Sequence, residues 1–154
     1  MKVLKQRKLL NTSKKIALIG DFDLSAFPIS KQNFLNFFQQ EKIEVLTAKG
    51  YQDESYIDEA LLNEAQRKAQ ASDVAMLLLF APQQANKIPF PQHQLIRSVN
   101  LLQSKLVVLL FAEQEVETPW LKYTHSSLQI DQNSQLEEIM GTIFYSDKTE
   151  PKIP

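Results

Sequence analysis

Two almost unbroken apolar runs, VAMLLLF at residues 74–80 and LVVLLF at 106–111, constrain the fold more than anything else in this chain. A strand wetted on one face alternates apolar and polar residues. Continuous runs of this length read as strands covered on both faces, the condition of a parallel sheet between helix layers. The blocks around them alternate strand with helix. Residues 16–19 form a short apolar strand that stops at the turn signal Gly20-Asp21, and Ser30 is placed to cap a helix carrying Phe34, Leu35, Phe37 and Phe38 on one side. Residues 43–48 alternate, as a partly exposed strand near a sheet edge does.

Ser55 and Asp58 are spaced like a capping box before a helix whose apolar stripe is Ile57, Leu61, Ala65 and Ala69. Pro91 suits a first helical position, and Leu95, Ile96, Val99 and Leu102 form the stripe behind it. Residues 126–130 read as a weak fifth strand, and Leu136, Ile139, Met140 and Ile143 mark a last helix. Parallel crossovers are right-handed and pack their helices back on the sheet. The expectation is therefore an α/β protein, a flavodoxin-like three-layer α/β/α sandwich around a mostly parallel sheet of about five strands, within the usual sheet size. The 154 residues suit one domain, with residues 1–14 as a linker-like opening segment.

Composition narrows the function classes. There is no cysteine, which excludes a disulfide scaffold and fits a cytoplasmic protein. Seventeen Lys and Arg against 18 Asp and Glu give a net charge of -1, so no global field draws the chain to nucleic acid or a membrane. No apolar stretch approaches the roughly 18 residues that a membrane span needs.

Ligands of open α/β sheets meet the loops at the carboxyl ends of the strands, here 20–30, 81–89 and 112–119. The first of these holds one glycine followed by Asp21 and Asp23, without the G-x-G-x-x-G or P-loop spacing that lets backbone N–H groups converge on a phosphate. Asp21 and Asp23 could begin an acidic Mg²⁺ pocket, but the residues after the third strand are Ala81, Pro82, Gln83 and Gln84, so a receiver-type phosphoacceptor is missing. A solvated turn is the plainer reading. Glu113, Glu115 and Glu117 are spaced by two, with nothing apolar to raise a pKa, and read as solvated loop charge. His93 and His125 have no ligand spacing, and His93 falls on the exposed side of its helix. No metal site or cofactor is expected. Trp120, the lone tryptophan, is either packed against the domain or an anchor at an interface.

Several stretches together resemble the C-terminal α/β domain of family 3 glycoside hydrolases, which include β-glucosidases and β-N-acetylhexosaminidases. Val3-Leu4-Lys5 with 14–20 (KKIALIG) is similar to the family's link into this domain, and Asp58-Glu59-Ala60 with 71–75 (ASDVA) to its following helix and strand. Residues 88–96 (IPFPQHQLI) fit the family pattern L-P-x-x-Q-x-x-L-I with one conservative change, and 116–120 (VETPW) resembles its VEMPW segment. Asp147 with 151–154 (PKIP) looks like its closing stretch.

The resemblance implies an accessory role. The family's nucleophile is an aspartate of a separate (β/α)₈ barrel, and 154 residues leave no room for a barrel of about 250. In the β-glucosidase branch the second domain lends an acid/base glutamate from the loop before the L-P-x-x-Q helix. Here that loop, 81–87 (APQQANK), has no carboxylate, and glutamine cannot protonate a leaving group. What remains resembles the hexosaminidase branch, whose acid/base residues belong to the barrel. The family's glycines near the last helix are replaced by Asn133, Ser134 and Gln135.

The expected function is a non-catalytic domain beside a (β/α)₈ barrel, in cis or in trans, that helps shape a carbohydrate cleft. No residue is expected to be catalytic. Asp21, Gln83, Asn86 and Glu113 are the candidates for touching sugar, because hydrogen-bonding groups at strand ends would meet hydroxyls there. The alternative is a stand-alone signalling or small-ligand module on the same frame.

Overall fold

The structure is a computed structural model. It describes residues 1–6, 9–10, 15–20, 29–51, 57–82, 86–100 and 105–145, and for residues 9, 10, 100 and 145 the backbone only. In chain order the elements are β1 (Lys2–Lys5), β2 (Leu9–Leu10), β3 (Lys15–Ile19), α1 (Lys31–Gln40), β4 (Glu44–Ala48), α2 (Glu59–Gln70), β5 (Val74–Phe80), α3 (Phe90–Asn100), β6 (Lys105–Phe111), a 3₁₀ turn (Leu121–Tyr123), β7 (Ser126–Ile130), α4 (Leu136–Ile143) and β8 (Phe144–Tyr145).

The main sheet runs β1-β7-β6-β5-β3-β4, and all neighbours from β7 to β4 are parallel. This is the expected three-layer sandwich, with one strand more than expected. Lys2–Lys5, within the segment read as a linker, pairs antiparallel with β7 at the edge. Lys5 ties this strand down, its Nζ donating to Leu121 O at 3.0 Å. β2 and β8 form a separate parallel pair.

Alternate residues of β5 feed two cores. Ala75, Leu77 and Leu79 pack with Ala65 and Ala69 of α2 and Leu95, Ile96 and Val99 of α3. Val74, Met76 and Leu78 pack with Phe34 and Phe38 of α1 and Ile139, Met140 and Ile143 of α4. β5 and β6 pair over their whole length, from Val74–Lys105 to Phe80–Phe111. β4 lies at the sheet edge, as its alternation indicated.

Several local expectations are corrected. Asp58 is itself the N-cap of α2, its carboxylate accepting from the Ala60 and Leu61 N–H groups at 3.0 and 3.3 Å, while Ser55 lies outside the described residues. Ile57 precedes that helix and is exposed. α3 starts at Phe90, so Pro91 is the second residue of the first turn, and Leu102 lies outside the described residues. Ser30 caps α1 as expected, accepting from Asn33 N–H at 3.2 Å.

α1 closes in a Schellman motif: Lys42 N–H bonds to Gln39 O at 3.1 Å, and Ile43 N–H to Phe38 O at 2.8 Å. The motif needs a left-handed residue, and Lys42 takes that role at φ 58°. At the carboxyl end of β3, Gly20 and Gly50 meet backbone to backbone. A Cβ on Gly20 would stand 2.6 Å from Leu78 Cβ, and one on Gly50 2.9 Å from Gly20 Cα.

Gln92, the glutamine of the L-P-x-x-Q stretch, is fully buried and holds the end of β5. β5 runs past β3, whose last paired residue is Ile19 opposite Leu77. Since Ala81 N–H bonds across to Phe111 O on the β6 side, Phe80 turns its own N–H and C=O the other way. There the Gln92 carboxamide meets both, Oε1 accepting from Phe80 N–H at 3.0 Å and Nε2 donating to Phe80 O at 3.0 Å. One side chain thus meets both peptide groups of Phe80.

Three outcomes follow from these contacts. Gly20→Ala forces Leu78 and the sheet apart and costs about 1–3 kcal/mol, read as a lower midpoint in urea denaturation. Lys42→Gly removes a strained left-handed side chain and raises that midpoint, by up to about 1 kcal/mol. Gln92→Glu is destabilised at neutral pH, because a buried carboxylate cannot donate to Phe80 O, and recovers as its carboxyl is protonated. Burial raises that carboxyl's folded pKa, so stability present in acid is lost as pH rises through it. Equal loss at pH 4 and pH 8 would contradict this account.

Candidate functional site

β5, β6 and β7 end side by side, and between their carboxyl ends lies a cleft of about 310 Å³. Its floor is apolar, with Phe80, Phe111 and Ile130 from the three strands; its rim is polar, with Glu113, Gln114, Asp131 and Gln132. An apolar base with a few placed polar groups is the usual make-up of a small-ligand site. In this strand order the direction of winding reverses between β3 and β5. The cleft is therefore displaced from the switch point at which ligands of such sheets commonly sit.

Amide side chains fasten the loops that carry the rim. Gln129, on β7, donates through Nε2 to Ala112 O at 3.1 Å and Gln114 O at 2.8 Å. Gln114 donates to Pro82 O at 3.0 Å, which ties the β6 loop to the β5 loop. Glu113 Oε1 accepts from Gln132 N–H at 2.8 Å, joining the loops after β6 and β7. The backbone at Asp131–Ser134 is a tight turn: Asp131 Oδ1 accepts from Asn133 N–H at 2.9 Å and from Ser134 Oγ at 3.0 Å, and Asp131 Oδ2 meets the Met1 ammonium at 2.9 Å. The ammonium first, then Ser134 and the Asn133 N–H, hold the Asp131 carboxyl below its ordinary value. That is the opposite of what a general acid needs.

Of the residues singled out in the sequence, Glu113 lines the cleft. Asn86 does not. It is exposed, and its carbonyl accepts from Glu117 N–H at 2.7 Å, beside a Lys87–Glu117 ion pair at 3.9 Å. Asp21, Asp23 and Gln83 lie outside the described residues. Glu115 and Glu117 are exposed loop charges. Trp120 is 2% exposed, within the core shared by α2 and α3, which favours packing over a surface anchor in this domain. His93 is half-buried, its ring edge against Trp120 with centroids 6.0 Å apart, and not on an exposed helix face. Burial lowers its pKa. Among the described residues no group of three His, Asp or Glu side chains is placed to hold a metal, and no helix is long and apolar enough to cross a membrane.

Sequence reasoning passed over Gln114, Gln129, Asp131 and Gln132. The available signal was Gln129, the one partly exposed position within the otherwise buried pattern of β7.

Comparison with known proteins places this geometry. No family model matches the chain. It is 34% identical over 99 residues to thermostable β-glucosidase B of Acetivibrio thermocellus, covering 58% of this chain and 13% of that protein. The fold matches β-glucosidase from Listeria innocua, seen in complex with isofagomine, with a TM-score of 0.66 at 21% identity over 82% of this chain and 21% of that one. It also matches the Bifidobacterium adolescentis GH3 β-glucosidase, with a TM-score of 0.63 at 23% identity over 81% of this chain and 22% of that one. The chain thus spans about a fifth or less of the length of these relatives. Shared sequence with one β-glucosidase and shared fold with others support the resemblance, read from the residues, to the C-terminal α/β domain of family 3 glycoside hydrolases.

Proposed function

We propose that this chain is a non-catalytic accessory domain that packs beside a (β/α)₈ barrel, in the same chain or another, and helps shape its carbohydrate cleft. The observation that carries the reading is the strand-end cleft, where rim amides and carboxylates are already fastened to backbone groups instead of being poised for proton transfer. Hydrolysis of a glycoside needs two carboxyl groups across the scissile bond, one of them kept protonated. Asp131 accepts from Asn133 N–H and Ser134 Oγ, and Glu113 from Gln132 N–H.

Fixed amides suit hydroxyl recognition, since each presents both a donor and an acceptor. The β-glucosidases matched in sequence and fold support a carbohydrate as the ligand class. Within the family, an amide-bearing 81–87 loop fits the branch in which the barrel keeps its own acid/base residue, as in β-N-acetylhexosaminidases. Pro82 O, at the start of that loop, is held by Gln114.

Two measurements test this reading. The purified chain gives no turnover of chromogenic β-glucoside or β-N-acetylglucosaminide, and hydrolysis that is lost on Glu113→Gln or Asp131→Asn would refute the non-catalytic assignment. In NMR titration, glucose or N-acetylglucosamine shifts the amides of residues 112–114 and 131–132 weakly, and Gln114→Ala reduces the shift. A nucleotide that moves these amides while sugars leave them unchanged would favour a stand-alone ligand module instead.

A further inference from the structure

A second pocket, of about 190 Å³, lies between α3 and the 3₁₀ turn and shares no residue with the strand-end cleft. Its walls are His93, Ile96, Trp120 and Tyr123, and Arg97 and Lys122 stand beside them. The Lys122 ammonium lies 5.1 Å from the centre of the Tyr123 ring, which keeps it over the aromatic wall. The ion pairs formed among the described residues lie elsewhere, at Asp131, Glu44, Glu64 and Glu117, and none involves Arg97 or Lys122. In a chain whose net charge is -1, two cations at one small aromatic hollow form a local positive site.

Trp120 adds an independent observation. It is 2% exposed, and its indole Nε1–H is buried without a hydrogen-bond partner. Buried donors are nearly always satisfied, and this one belongs to a residue that lines the pocket. His93, packed edge-on to Trp120, has its pKa lowered by burial and is neutral near pH 7, leaving Arg97 and Lys122 as the charges.

We propose that this pocket binds a small carboxylate carried on a planar apolar body, an aromatic acid or a similar group. The carboxylate meets the Arg97 guanidinium, whose planar fork matches it, and the Lys122 ammonium. The body lies among Ile96, Tyr123 and the Trp120 ring.

Trp120 is the only tryptophan, so one indole N–H resonance and one fluorophore report on the site. The whole chain is titrated with benzoate, with its neutral isostere benzamide and with inorganic phosphate. Benzoate is expected to shift the indole N–H saturably, with benzamide and phosphate weaker by about tenfold or more, as expected for a charged hydrogen bond joined to apolar contact. Arg97→Gln with Lys122→Gln, both at exposed positions, weakens benzoate by a similar factor while the indole resonance of the free protein stays dispersed. No saturable shift with benzoate, an equal shift with benzamide, tighter binding of phosphate, or unchanged benzoate affinity in the folded double variant would each overturn the proposal.

Discussion

The parallel pairing of β5 with β6 is the constraint from which the rest of the structure is built. Both strands carry apolar side chains on both faces, so neither can be left in water on either side. Two helix layers become obligatory, and each core borrows alternate residues of the same strand. The helices need little more than a narrow apolar stripe. α2 offers two alanines to its core, which lets it sit close to the sheet.

The cleft inherits its position from the same pair. β5 and β6 extend equally far, and β7 ends beside them. The floor is the last residue of each of the three strands, and the polar rim comes from the segments after β6 and β7. A site made this way is only as stable as its loops, which explains why so many glutamines here are spent on backbone carbonyls rather than on solvent.

How far the fold was legible depended on how strongly burial wrote itself into each element. Residues 74–80 and 106–111 could hardly be anything but interior strands. β7 was faint because Ser126 and Ser127 look polar, yet both are buried, and Ser127 Oγ donates to Val108 O at 3.0 Å. A hydroxyl satisfied by a neighbouring strand is indistinguishable in sequence from one facing water. β1 was hidden by its lysines, which serve an edge and imitate a linker. The site was less legible than the fold. Glu113 was found from its place after β6, whereas Asp131 and Gln132 follow a strand whose importance the letters understated. Gln92 was recognised as part of a pattern, but its task is a three-dimensional fact: it meets both peptide groups of Phe80.

That single carboxamide has a consequence for how the protein behaves among other chains. Bare peptide groups at the end of a strand invite any extended segment to zip alongside. With Phe80 already satisfied on that flank, the seam offers an intruder no rung to grip. The end of β5 can therefore serve as a wall for small molecules without also becoming a nucleus for aggregation.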